Sequence, residues 1–206
     1  MRRLLHAYAQ LTAHPATVST ILRRARGEAD DDIAPSRFSA APYLDALRRM
    51  MIVDELPAWD PKVRSRARLT ATQKRLLADP SLSASLLNCS STRLLKDIET
   101  LGFQFEALVA HDLRVHAEAV GFSLYHYRER DGRLEVDLVA ESIDGTWAAF
   151  EVKLGGNQED EAAANLLRLR ERVEQSPSVL AIITATAYGY QRKDGVWVLP
   201  LGLLGP

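Results

Sequence analysis

The chain has 206 residues, of which 47% are hydrophobic and 26% charged, with a formal net charge of −1, values that fit a soluble globular protein of one large or two small domains. Its single cysteine, Cys89, excludes an intrachain disulfide and a cysteine-rich zinc site. No apolar run reaches the roughly 18 residues a membrane span needs, and the start, MRRLLHAYAQL, lacks the apolar core and cleavage site of a secretory signal, so the cytoplasm is the expected compartment and no membrane partner is expected. In chain order, Leu4, Leu5, Tyr8 and Leu11 recur at helical spacing over residues 2–13. Thr17 is placed to cap a second helix over Val18, Ile21 and Leu22, ending at Gly27. The acidic run at 28–32 reads as a loop, and Ser36 opens a third helix with Tyr43, Leu44, Leu47 and Met51 on its apolar face.

MIVDEL follows as a short strand, then two prolines in a turn, then VRSRARLTA, in which Arg64, Arg66 and Arg68 alternate onto one face. Three helices and a basic two-stranded hairpin are the outline of a winged helix, a relative of helix-turn-helix DNA readers. In that arrangement the three arginines contact phosphates and position the protein without reading bases. The alternative is an edge strand protected from aggregation by its arginines. Arg48 and Arg49, at the end of the third helix, are further candidates for DNA contact, although cations favour a helix C-terminus in any case. Residues 1–75 hold 14 Lys/Arg against 8 Asp/Glu, and residues 76–206 hold 12 against 19. A basic part beside an acidic one fits a phosphate-binding module joined to a metal-binding one, and equally two ordinary surfaces.

KRLLADPSL reads as a strand entering a helix, with Pro80 at an early helical position. Short helices follow at 82–87 and 91–101. After Gly102 a long helix is expected, with Phe105, Leu108, Val109, Leu113 and Val120 as its buried stripe. Three strands come next, FSLYHYRER, LEVDLVA and TWAAFEVKL, then a helix over GNQEDEAAANLLRLRERVEQ with Ala164, Leu167 and Val173 facing inward. SVLAIITAT is a continuous apolar run, the pattern of a buried strand, and YQRKDGVWVLPL closes the chain as a hairpin across Asp194-Gly195.

The stretch Leu134–Leu154 carries the chemistry. Side chains two apart on a strand share a face, so Glu135 pairs with Asp137, and Glu151 with Lys153. An Asp-Gly turn at 144–145 joins the strands, and their pairing converges Asp137, Glu151 and Lys153 on one polar patch. Two neighbouring carboxylates repel, and a cation between them relieves that repulsion. A hard divalent ion takes a few carboxylate oxygens plus water, and a lysine beside it can orient a water or stabilise charge on a phosphate. A Glu-x-Lys pair facing solvent is the bland alternative.

The element order from 102 onward, with these residues, resembles the PD-(D/E)XK nuclease superfamily and its α-β-β-β-α-β core. Within it, the chain resembles the DUF4143 family, usually found C-terminal to an AAA-type ATPase domain and a winged helix. The resemblance rests on KRLLADPSLSASLL, FQFEALVAHDL, YHYRERDGRLEVDLV and AAFEVKLG, and spans nearly the whole chain. It implies an α/β (α+β) architecture: a winged-helix-like domain over 1–73, then a restriction-endonuclease-like core with a mixed central sheet over 74–206. It also implies that Asp137 and Glu151 are metal-binding carboxylates, that Lys153 is the catalytic lysine, that Glu106 completes the site from its helix, and that the Val152 carbonyl is a further ligand. Glu135 is an additional acid on the same face, supporting the ligands or simply solvated. Mg²⁺ or Mn²⁺ is the implied cofactor and DNA the implied partner. No GxxxxGK[ST] phosphate loop occurs, so the chain is not itself the ATPase. A motor domain lost or supplied by a partner is then expected. The expected activity is metal-dependent DNA hydrolysis. The alternatives are a non-catalytic DNA-binding or regulatory module of an ATPase system, and an interaction scaffold with neither metal nor DNA.

Overall fold

The computed structural model describes residues 2–26, 37–62, 65, 68, 71–129 and 131–205, with side chains omitted for 37–39. They form two compact units, Met1–Leu56 with Thr72–Leu108, and Pro57–Ala71 with Val109–Pro206. Seven α-helices and a mixed sheet are present among the described residues.

In the first unit, helices α1 (Arg2–Ala9), α2 (Val18–Arg26) and α3 (Arg37–Arg49) bury Leu4, Tyr8, Ile21, Leu22, Leu44 and Leu47 together. Thr17 caps α2 by accepting the Thr20 N–H at 3.1 Å, which satisfies one of the helix's orphan donors. Ser36, expected to open α3, lies outside the described residues. The apolar face of α3 is narrower than its spacing predicts. Leu44 and Leu47 are buried with Ala40, but Tyr43 is exposed, and Met51 lies beyond the helix end in the left-handed region (φ 55°) with its side chain in solvent.

The hairpin differs from expectation. Strand β1 (Val53–Leu56) pairs antiparallel with β2 (Lys74–Leu77), in the register Val53↔Leu77 to Leu56↔Lys74. Of VRSRARLTA, only Ser65, Arg68 and Ala71 are described and none of them is in a strand: Ser65 has no regular structure and Arg68 is helical. The physical reason is burial. All four residues of β2 are buried, and its other edge meets Thr12 and Pro15 through isolated bridges. Such an enclosed position takes Leu76 and Leu77 readily, whereas an arginine at every second residue would need a partner each time. Beyond β2, Asp79 caps α4 (Pro80–Leu86) with Pro80 as its first residue, as the sequence suggests. Helix α5 (Ser91–Leu94) is short, and α6 (Ile98–Ala119) runs through Gly102 without a break. Helix α6 buries Gln104, Ala107, Val109, Ala110, Leu113 and Ala117, leaving Leu108 and Val120 exposed.

The second unit is a six-stranded sheet in the order β3-β4-β5-β6-β8-β7. Strands β3 (Phe122–Arg128), β4 (Glu135–Ser142) and β5 (Trp147–Lys153) form an antiparallel meander. Strand β6 (Val179–Thr184) runs parallel to β5, reached through helix α7 (Glu159–Arg172). Strands β7 (Tyr190–Gln191) and β8 (Trp197–Pro200) form the terminal hairpin, with β8 parallel to β6. Helix α7 packs Ala162, Ala163, Leu166 and Leu169 against Val139, Trp147, Ala149, Leu180 and Ile182. Of the residues expected to face inward, Leu167 and Val173 pack against this cluster half-buried, while Ala164 faces solvent. Two adjacent alanines let helix and sheet backbones approach closely. No described helix is long and apolar enough to cross a membrane.

Candidate functional site

The site lies where β4 and β5 separate. Gly145, at φ 80°, turns the chain between them, and the ladder runs from Glu141↔Trp147 to Leu138↔Phe150. One step further, the Asp137 carboxylate enters in place of backbone pairing, its Oδ2 accepting the Val152 N–H at 2.9 Å. Alternation from Ala149 then carries Glu151 and Lys153 onto the face that α7 covers. The Lys153 ammonium donates to Glu151 Oε2 at 2.7 Å and lies 3.5 Å from Asp137 Oδ2. The three residues that the sequence groups are therefore adjacent.

Their environments differ. The side chain of Glu151 is 3% exposed, against 15% for Asp137 and 22% for Lys153. Burial pushes the Glu151 carboxyl well above its ordinary range, and the Asp137 charge adds to this while Lys153 opposes it. Asn165 of α7 donates to Glu151 Oε1 at 3.4 Å, so the two oxygens of Glu151 have separate partners. Sequence inspection passed over Asn165. The available signal is its position three residues after Ala162 and four before Leu169, a polar residue within the buried stripe of α7.

The other candidates differ in their surroundings. Glu106, in the first unit, accepts from Lys74 Nζ at 2.6 Å, a pair in which the lysine side chain is almost fully buried. Val152 is buried, with its N–H on Asp137. Glu135 lies 3.7 Å from Arg128, both more than a third exposed, an arrangement worth little in water. Arg48 makes a two-pronged contact with Glu55 and a further one with Asp45. Arg49 is exposed. Arg68 donates to the Asp60 carbonyl at 2.7 Å and to Glu141 at 2.9 Å, and covers the Tyr125 ring. Arg64 and Arg66 lie outside the described residues.

Two carboxylates that reach one ammonium are a donor set suited to a hard divalent ion, which commonly binds through one or two carboxylates with water or phosphate oxygens completing its shell. A larger protein cage is not assembled: among the described residues, no group of three or more His, Cys, Asp and Glu side chains is arranged to hold a metal. A cavity of about 950 Å³ lies at the turn end of the same hairpin, lined by Trp59, Lys62, Arg68, Tyr125, Glu141 and Trp147 among others, and does not include Asp137, Glu151 or Lys153.

Residues 1–93 match a family model described as a domain of unknown function (DUF8612). No curated protein and no solved structure matches the chain. Residues 101–204, just over half of the chain and the whole of the Asp137–Glu151–Lys153 site, match the model described as a domain of unknown function (DUF4143). The chain belongs to the DUF4143 family.

Proposed function

We propose that the second unit is a divalent-metal-dependent phosphodiesterase acting on DNA, with a PD-(D/E)XK-like arrangement of its site, and that the basic N-terminal stretch, residues 1–75, positions the nucleic acid. The observation that carries this reading is the convergence of the Asp137 and Glu151 carboxylates on one cation, the Lys153 ammonium. Mg²⁺ or Mn²⁺ bound by Asp137 and Glu151 would polarise a phosphoryl oxygen and make a bound water more acidic. The chain's own residues supply the rest. Lys153 presents three donors to an attacking water or to the non-bridging oxygens of the phosphate. Asn165 steadies Glu151, and the helix above excludes bulk water from it. Asp137 and Glu151 form the core of the site.

The non-catalytic reading is a DNA-binding or regulatory module of an AAA-type ATPase system, and within it the engagement of Arg48 and Arg68 with acids of their own favours the regulatory role over DNA contact. The two readings separate on Asp137→Asn. Calorimetric titration of Mg²⁺ and Mn²⁺ and a nicking assay on supercoiled DNA should show metal binding and metal-dependent nicking in the wild type, with nicking reduced ~100-fold or more in the variant. Equal nicking by both proteins, or none by the wild type at millimolar metal, would sink the catalytic reading.

A further inference from the structure

We infer that Lys153 is the site's resident counter-ion and competes with the divalent ion, so that metal enters only as the ammonium swings away. This rests on the metal-dependent reading above and concerns how the site is regulated. The Lys153 ammonium lies 2.7 Å from Glu151 Oε2 and 3.5 Å from Asp137 Oδ2. A magnesium ion on the same two carboxylates would need oxygen distances near 2.0–2.1 Å, placing a double positive charge against the ammonium. The two cations therefore exclude each other from this position.

Which group yields is decided by anchoring. Asp137 is held by the Val152 N–H and Glu151 by Asn165, and both are more buried than the lysine. Lys153 has a flexible four-carbon stem and the greatest exposure of the three. It moves, and the carboxylates stay. Freed from them, its ammonium is placed to meet the phosphate or water that accompanies the ion. The charge that offsets the carboxylates without metal thus becomes the charge that assists the reaction, and metal binding is the switch between the two roles.

The test reads binding and lysine accessibility. Mn²⁺ titrated into the wild type and Lys153→Met at pH 8 should bind the variant about tenfold more tightly, although the lysine is the proposed catalytic group. Independently of any substitution, acetylation of Lys153 in the wild type, followed by mass spectrometry, should accelerate several-fold when Mg²⁺ is added, while acetylation of Lys62 stays constant. Lys153→Gln repeats the titration should the methionine variant not fold. Equal or weaker binding in the variants, or a Lys153 labelling rate that Mg²⁺ leaves unchanged, overturns the displacement and leaves the phosphodiesterase reading standing. Absence of divalent binding in wild type and variants alike overturns both.

Discussion

Glu151 is a carboxyl group that the fold holds against its own ionisation. Burial is the main cause, and the neighbouring Asp137 adds to it. The folded state therefore grips the proton more tightly than the unfolded chain does. That contribution to stability is fully present below the unfolded value near 4.5 and is lost as pH rises through the folded value. Glu151→Gln keeps the shape and removes the titration. Thermal melts without added metal should show the variant melting above the wild type at pH 8, with the gap closing below about pH 4.5. A variant that melts lower than the wild type at pH 8 would mean that the Lys153 contact outweighs burial.

At the scale of elements, what the sequence revealed and what it hid have a common cause. The strands of the second unit were legible because period-two alternation and Asp-Gly turns are local signals, and the same alternation put Asp137, Glu151 and Lys153 on one face. The partner of β1 was not legible. VRSRARLTA alternates as cleanly as a strand, whereas Lys74–Leu77 earns its place by being enclosed, which only the assembled unit determines. Helix faces were only partly legible, because runs of adjacent apolar residues such as 162–164 and 166–167 leave open which of them turns inward. On α7 the close contact with the sheet is made by Ala162 and Ala163, and on α6 Ala107, Ala110 and Ala117 are buried while Leu108 is exposed. The Lys74–Glu106 pair was not legible either, because its members are 32 residues apart in the sequence. Chemical denaturation can check the α7 assignment. Ala162→Leu should lower stability by about 1–3 kcal/mol through overpacking, whereas Ala164→Leu, two residues on, should stay within about 0.5 kcal/mol of wild type. The reverse order would restore the face expected from the sequence.

On the scale of the whole molecule, the two units are interleaved along the chain. Residues 57–71 belong with the second unit although they interrupt the first. Trp59 is the anchor: it is buried, its ring 5.2 Å from that of Trp147 and 6.1 Å from that of Tyr127, and its backbone N–H donates to the His126 carbonyl at 2.7 Å. Trp59→Ala should lower stability by about 3–5 kcal/mol. A fragment of residues 101–206, which contains the whole family match but not Trp59, should unfold without a cooperative transition in calorimetry. Cooperative melting of that fragment at the temperature of the full chain would show the insertion to be dispensable.

The same interleaving sets a timetable at the ribosome. Residues 1–56 leave the exit tunnel first, yet their unit waits for Thr72–Leu108. Trp59 waits longer, since Trp147 follows it by roughly 90 residues, on the order of 5–20 s of synthesis. For that interval the nascent chain displays a tryptophan with no core to enter, a ready handle for a chaperone, and a message cut short between the two tryptophans would yield a product that keeps the handle.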